Sequence, residues 1–125
     1  MRRVLKTRQF ARWLRKTDLT DQILCAAIFE LEKGLIDADL GGGLIKIRVP
    51  LPGRGKSGGA RTLLATNKID RWFFVFGFEK NDKTNIKKEE LEALQHLAWD
   101  LLNLSSVQID ESIEHNILQE ICYGC

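Results

Sequence analysis

The sequence has no long apolar run, and this absence limits where the chain is expected to work. No apolar segment approaches the roughly 20 residues that a helix needs to cross a bilayer. The first ten residues, MRRVLKTRQF, also lack the apolar stretch of a secretory signal peptide. We therefore expect a cytoplasmic protein with no membrane partner.

Cysteine is scarce, and no familiar catalytic set of side chains is present. Cys25, Cys122 and Cys125 are an odd number in a chain without an export signal, which argues against a disulfide framework. Cys25 is expected to be a small buried hydrophobe, and the single C-x-x-C of Cys122 and Cys125 is a weak zinc or redox signal. No serine or cysteine nucleophile has a recognisable base nearby. We expect neither a metal nor a cofactor.

Charges of one sign are missing from long parts of the chain. Residues 1–16 and 40–69 contain no acidic residue, and residues 89–125 contain no basic one. Residues 1–88 therefore carry a charge of +10 and residues 89–125 a charge of −8, which the net charge of +2 conceals. This polarity predicts a basic body that can bind an anion such as nucleic acid, and an acidic segment that shields it or contacts another partner.

Three strands are predicted between residues 40 and 80. The first, over 44–49, alternates between two sets of side chains with a period of two, which is typical of a half-buried strand. The second is predicted over 60–66. The third, over 72–78, is apolar except for one glycine and is expected to be buried on both faces. The basic side chains on or beside these strands are the candidate site residues: Lys46, Arg48, Arg61 and Lys80.

A glycine- and proline-rich loop is predicted over 50–59, and it carries Arg54 and Lys56. Gly53–Gly58 fits the G-x-G-x-x-G pattern of dinucleotide-binding proteins. That motif needs a helix immediately afterwards, whereas ARTLLATN has the pattern of a strand. We therefore reject nucleotide binding of this kind and predict that Arg54 and Lys56 hold a polynucleotide phosphate.

The N-terminal segment predicts a short strand around Val4 and then a basic helix. Phe10 and Trp13 fall at helical spacing opposite Arg8 and Arg12, so Trp13 is expected in the core. Two interpretations of Arg8 and Arg12 remain open. They are either a solvated helix face or a contact with nucleic acid.

Further helices are predicted on both sides of the strands. Asp18 or Thr20 can cap a second helix that ends at Gly34, and two helices of this size would cover one face of the sheet. Asn85 is the predicted cap of a third helix, after which a weaker helix or turn follows. The tail over 117–122 is predicted to add a final strand.

Lysine and arginine suffice for one kind of catalysis, the cleavage of RNA through its own 2′-hydroxyl. The reaction needs that hydroxyl deprotonated, the charge on the phosphate oxygens stabilised and the leaving 5′-oxygen protonated. Arginine offers phosphate a fixed fork of donors, and a lysine beside other cations accepts a proton more readily. The four candidate residues supply this chemistry if their faces coincide. DNA lacks the 2′-hydroxyl and would not be cut by this route.

Three segments carry a resemblance to a known family: DADLGGGLIKIRV, GRGKSGGARTL and RWFFVFGFEKND. In this order after two helices, they resemble the RelE/ParE superfamily of bacterial toxins, specifically its HigB-like branch. The resemblance covers nearly the whole chain, so we expect a single domain over residues 1–125. It implies the RelE-like α+β fold, in which two N-terminal helices pack on a small antiparallel sheet that is followed by a C-terminal helix.

The resemblance also implies roles for the candidate residues. Lys46 and Arg48 match a basic strand pair, Arg61 the arginine that opens the next strand, and Lys80 the basic residue that ends the last one. Lys46 would help to activate the 2′-hydroxyl, Arg48 and Arg61 would hold the scissile phosphate, and Lys80 would aid the leaving oxygen. Several relatives place a tyrosine or histidine just after this last strand, where NDKTN has neither. The general base and acid are therefore unassigned.

The function implied by the resemblance is that of a ribosome-dependent, metal-independent mRNA endoribonuclease that inhibits translation. Its expected partners are a cognate antitoxin, often of the helix-turn-helix type, together with the ribosome and mRNA. Two alternatives stay open: a ParE-like gyrase inhibitor, and a non-catalytic module that binds RNA or a protein partner.

Overall fold

The computed structural model describes residues 2–31, 38–53, 55–79 and 86–123, and for residues 55–58, 122 and 123 it describes the backbone alone. Within these residues the chain forms six strands and four helices. They are β1 (Arg3–Thr7), α1 (Arg8–Leu14), α2 (Asp21–Leu31), β2 (Ala38–Gly41), β3 (Leu44–Leu51), β4 (Gly55–Thr66), β5 (Arg71–Glu79), α3 (Lys88–Leu102), α4 (Ser106–Glu114) and β6 (Leu118–Tyr123). None of the described helices is long and apolar enough to cross a membrane.

All six strands join in one sheet with the order β2-β3-β4-β5-β1-β6. β1 runs parallel to β5, and every other pair of neighbours is antiparallel. The α+β class is therefore confirmed, and the sheet is mixed rather than wholly antiparallel. The direction of β1 could not be predicted, because the pattern of one strand indicates which faces it buries and not which neighbour it joins.

Helices cover both faces of the sheet. α1 and α2 pack on one face, where Phe10, Leu24 and Ile28 are buried with Ile45 and Ile47 of β3. This confirms the prediction for the two N-terminal helices. α3 and α4 form a second layer on the opposite face, where the buried side chains include Leu5, Leu44, Phe73, Ala98, Leu101 and Ile109.

The hairpin between β3 and β4 is tighter than the sequence predicted. β3 continues to Leu51, which pairs with Gly55, so most of the loop predicted over 50–59 belongs to strands. The ladder shifts register between Val49 and Leu51, and Pro50 lies at this irregularity, where a missing N–H is tolerated. β2 was missed altogether, because four residues are too short for a recognisable alternation.

The start of α2 selects one of its two predicted caps, and the start of α3 differs from the prediction. Thr20 rather than Asp18 caps α2, since its hydroxyl accepts a hydrogen bond from the Ile23 N–H at 3.2 Å. α3 begins after Lys87, whose backbone N–H donates to the Glu90 carboxylate at 3.0 Å. Asn85, the predicted cap, lies outside the described residues, as does the predicted helix stop at Gly34. The predicted tail strand is confirmed as β6.

Cys25 of α2 forms a disulfide bond, so the prediction of a simple buried hydrophobe was wrong. An odd number of cysteines does not exclude one bonded pair. α2 packs against β6, which is distant in sequence, and this proximity could not be predicted from the residue pattern. The side chains of Cys122 and Cys125 lie outside the described part of the chain.

A β-bulge in β5 changes which residues face each helical layer. Leu63 pairs with Phe76 and Leu64 with Phe74, so Val75 has no partner in the ladder. After the bulge, Phe76 joins the core on the side of α3. Gly77 faces α1, where an added Cβ would lie only 2.3 Å from the Trp13 ring. Trp13 therefore packs directly on the sheet, as expected of a core residue.

Candidate nucleic-acid interface

Three predicted site residues meet on one face of the central strands. Arg48 of β3 and Arg61 of β4 are direct partners in the antiparallel ladder. The Cβ atoms of such partners lie about 4.5–5.5 Å apart on the same face. Lys46 precedes Arg48 by two residues and therefore shares that face. We refer to Lys46, Arg48 and Arg61 as the basic cluster.

The basic cluster is accessible to solvent. Arg48 is exposed, whereas Lys46 and Arg61 are half-buried. A guanidinium N–H of Arg61 donates to the Gly59 carbonyl at 3.4 Å, which orients it along the hairpin. Like charges placed directly opposite each other repel by an amount on the order of 1 kcal/mol near a surface. An anion bound between the two arginines would relieve this repulsion.

α3 packs on one end of the face that bears the basic cluster. At that end Gln95 donates to the Leu40 carbonyl at 2.8 Å. The next turn, Gly41–Gly43, has positive φ at all three residues, and a Cβ on Gly43 would lie 2.7 Å from Leu102. The basic residues lie further along β3, beyond this tight contact between the helix and the sheet.

The edge strand β2 supports Lys46 from its other side. Ala38 pairs with Lys46, and the Asp39 carboxylate accepts from the Gly41 N–H at 3.0 Å and from the Lys68 ammonium at 3.0 Å. The hydrogen bond from Gly41, followed by the contacts with Lys68, lowers the pKa of Asp39 below its ordinary value of 3.8. Asp39 thus joins β2 to the turn between β4 and β5.

Two phenylalanines border the basic cluster, and the sequence did not predict them as part of the site. Phe78 is the β5 partner of Arg61, and Phe76 is the partner of Leu63. Their ring centroids lie 6.1 Å apart with the planes at 50°. Phe78 is buried, whereas Phe76 is half-buried. The continuous apolar pattern of β5 predicted burial throughout, and no residue in that pattern marks the bulge.

Of the remaining predicted site residues, two lie on the opposite face and the side chains of three are not described. Lys80 and Arg54 lie outside the described residues, and Lys56 lies in β4 without a described side chain. Arg8 and Arg12 are exposed on α1, which packs on the opposite face, and Arg8 donates to the Asn116 carbonyl at 3.1 Å. The catalytic role of Lys80 and the RNA contacts of the other four residues stay predictions.

No group of three or more metal-binding side chains is found among the residues that the structure describes. The arrangement of the basic cluster offers guanidinium and ammonium donors on an open strand face. Such donors bind phosphate oxygens, and arginine does so with two parallel hydrogen bonds. The chemistry that the face can perform is therefore the binding of a phosphodiester and the stabilisation of charge that develops on it.

Comparison with known proteins places the chain in a family. Residues 2–121 match the family described as the RelE toxin of the RelE / RelB toxin-antitoxin system. A search of curated proteins gives no match. The family match spans almost the whole chain and includes β1 to β5, the first four residues of β6 and the basic cluster. The chain therefore belongs to the RelE toxin family and is a toxin with a cognate antitoxin partner.

Proposed function

We propose that this toxin is a ribosome-dependent, metal-independent endoribonuclease that cleaves mRNA in the cytoplasm and so inhibits translation, as in the HigB-like branch. The observation that carries the proposal is the direct pairing of Arg48 with Arg61, with Lys46 on the same face. Two arginines that are direct partners on neighbouring strands can hold one phosphodiester between them.

The reaction would be an intramolecular transesterification, in which the phosphoryl group of the RNA moves from the 5′-oxygen to the 2′-oxygen. The 2′-oxygen loses its proton and attacks the adjacent phosphorus, and the bond from phosphorus to the 5′-oxygen breaks. The products are a 2′,3′-cyclic phosphate and a 5′-hydroxyl that has gained a proton. Arg48 and Arg61 hold the phosphate and stabilise its developing charge, and Lys46 is assigned to the 2′-hydroxyl. Lys80 is assigned to the leaving oxygen.

The ribosome is proposed to hold the substrate in place. The basic cluster lies on a strand face where Arg48 is exposed. Such a face contributes charge stabilisation but few contacts that would align a flexible RNA for in-line attack. Messenger RNA fixed on the ribosome would need less alignment by the toxin.

Two other functions are consistent with the fold. A ParE-like gyrase inhibitor or a non-catalytic module that binds RNA or a protein would use the same basic face for binding alone. The sequence NDKTN after β5, which contains neither tyrosine nor histidine, favours these alternatives.

The antitoxin is proposed to block the basic cluster directly. We expect a partner of the helix-turn-helix type to lay an acidic or amphipathic segment over this face, since Arg48 is exposed there. A complex that left the cluster open and competent to bind RNA would contradict this.

The proposed activity can be tested with purified toxin and ribosomes that hold a defined mRNA. Primer extension should detect cleavage by the wild type, and a 2′-deoxy nucleotide at the cut site should prevent it. Arg48→Ala and Arg61→Ala should each reduce the rate by about 10²-fold or more, as the loss of one charge-stabilising donor does in other enzymes. Arg15→Ala is the matched control, because Arg15 is an exposed arginine at the end of α1.

Equal cleavage by the control and both site variants would contradict the role of the basic cluster. Absence of cleavage with inhibition of DNA supercoiling would instead support the gyrase alternative. Binding of RNA without cleavage or gyrase inhibition would support the non-catalytic module.

A further inference from the structure

We infer that the outer side of α3 is a docking surface for the basic helix α1 of a second copy of this chain. The contact involves no residue of the basic cluster and does not depend on the cleavage of RNA. Both surfaces that it joins are carried by every copy.

The outer side of α3 carries an exposed tryptophan beside acidic side chains. Trp99 is 65% exposed, although tryptophan is on average highly buried in folded chains. Glu92, two turns earlier, lies on the same side of the helix, and Asp100 is the next residue along the chain; both are exposed. Residues 89–125 carry a charge of −8 and contain no basic residue. A partner that presents cations fits this surface, because cations bind both carboxylates and aromatic rings.

α1 presents the complementary charge. Arg8, Arg12 and Arg15 follow one another at intervals of four and three residues, so they lie along one side of the helix, and all three are exposed. Residues 1–16 contain no acidic residue. Arg8 donates one N–H to the Asn116 carbonyl, and an arginine has five such donors. This side of α1 therefore presents a row of guanidinium groups to solvent.

The spacing of the charges on α1 matches the spacing on α3. Arg8 and Arg15 are seven residues apart, as are Glu92 and Trp99, and seven residues of helix span about 10.5 Å. Two such helices laid side by side place one arginine at Glu92 and another at Trp99. The first contact is an ion pair. The second is a cation–π contact, for which tryptophan is the best of the aromatic side chains.

The two surfaces lie on opposite layers of one molecule, so they meet only between copies. α1 packs on the face of the sheet that holds Phe10 and Ile45, and α3 packs on the face that holds Leu44 and Ala98. Such a head-to-tail contact leaves an unused surface at each end, so it continues into chains or closes into rings. The net charge of +2 is small, so charge repulsion between whole copies is weak.

Sedimentation velocity over a range of protein concentrations measures the association of the purified chain. The wild type should form dimers and larger species at about 0.05 M salt and dissociate at about 1 M, where the screening length falls to about 3 Å. Arg12→Glu blocks α1, and Trp99→Ala blocks α3. Each variant alone should associate roughly tenfold more weakly or less. Since each keeps the other surface intact, an equimolar mixture of the two variants should form dimers and stop there.

Asp100→Lys is a second block of α3 that keeps the tryptophan, and it should act like Trp99→Ala. Two controls should associate as the wild type does. Ile69→Ala shortens a 76% exposed side chain in the turn between β4 and β5, and Arg48→Ala removes a charge of the basic cluster. Because association is measured without RNA, it can fail or succeed independently of the proposed nuclease.

Four results would overturn the inference. They are a wild type that stays monomeric at low salt, association that salt does not weaken, association that persists when α1 or α3 is blocked, and a mixture of the blocked variants that stays monomeric. Loss of association in Arg48→Ala would also overturn it, because the basic cluster would then be the docked surface. A free toxin that is monomeric but loses affinity for its antitoxin in Trp99→Ala would make the antitoxin the occupant and refute the second copy.

Discussion

We propose that the pairing of Arg48 with Arg61 favours function over stability. Two residues of the same charge that are direct partners in the ladder destabilise a sheet. Arg48 and Arg61 are such partners, and Arg48 is exposed. We therefore predict that Arg48→Ala leaves the free energy of unfolding unchanged or raises it by up to about 1 kcal/mol while cleavage falls. Urea denaturation of Arg48→Ala and of the control Arg15→Ala measures this. A clear loss of stability in Arg48→Ala alone would show that Arg48 has a structural role.

Gly77 is needed because the Trp13 ring occupies the space of a side chain. A Cβ at Gly77 would lie 2.3–2.6 Å from three atoms of that ring, well inside van der Waals contact. Gly77→Ala should therefore cost about 1–3 kcal/mol of unfolding free energy. In a Trp13→Leu background the same change should cost clearly less, since the smaller side chain leaves room. Equal costs in the two backgrounds would mean that the contact does not limit packing.

At the scale of elements, Asp39 should make the attachment of β2 dependent on pH. Because its pKa is lower in the folded chain, Asp39 binds a proton less readily when folded than when unfolded. The stability that it contributes is complete above its ordinary pKa of 3.8 and is lost as the pH falls through the lowered folded value. Asp39→Asn should therefore be less stable than the wild type near neutral pH. This difference in stability should shrink below pH 3.8.

Denaturation midpoints of the two chains across this pH range measure the effect. Asp18→Asn, a change at an exposed aspartate outside β2, is the control. A gap between wild type and Asp39→Asn that stays constant down to the lowest pH would contradict the role of the carboxylate charge.

Most of the strands and helices could be predicted because each carries its own periodic pattern. The alternation over 44–49 gave β3 and its buried face, and the apolar run over 72–78 gave most of β5. β2, the parallel position of β1 and the bulge at Val75 could not be predicted in this way. Strand partners and bulges depend on contacts between distant segments, which the local pattern does not specify.

The candidate site was also predictable only in part. Alternation alone placed Lys46 and Arg48 on one face. The pairing of Arg48 with Arg61 depends on the short turn between β3 and β4, where the sequence predicted a loop of ten residues. The position of Phe76 on this face depends on the bulge at Val75. The residues that share a strand were therefore predictable, whereas those that meet across strands needed the structure.

At the scale of the whole molecule, the separation of charge predicts a strong effect of salt. Residues 1–88 carry a charge of +10 and residues 89–125 a charge of −8. Binding of RNA should weaken as salt rises, because each phosphate contact releases a counterion. Arg48→Ala should reduce the slope of log affinity against log salt by about 0.7, the value for one contact with a single strand. An unchanged slope would mean that Arg48 does not contact a phosphate.

The most direct test of the account is the mapping of transcript 5′ ends after brief induction of the toxin in cells without the antitoxin. The wild type is compared with a chain that carries Arg48→Ala and Arg61→Ala and with the Arg15→Ala control. We predict new ends inside translated frames, in phase with codons, for the wild type and the control but not for the double variant. Growth arrest with intact transcripts would contradict the account and direct attention to gyrase.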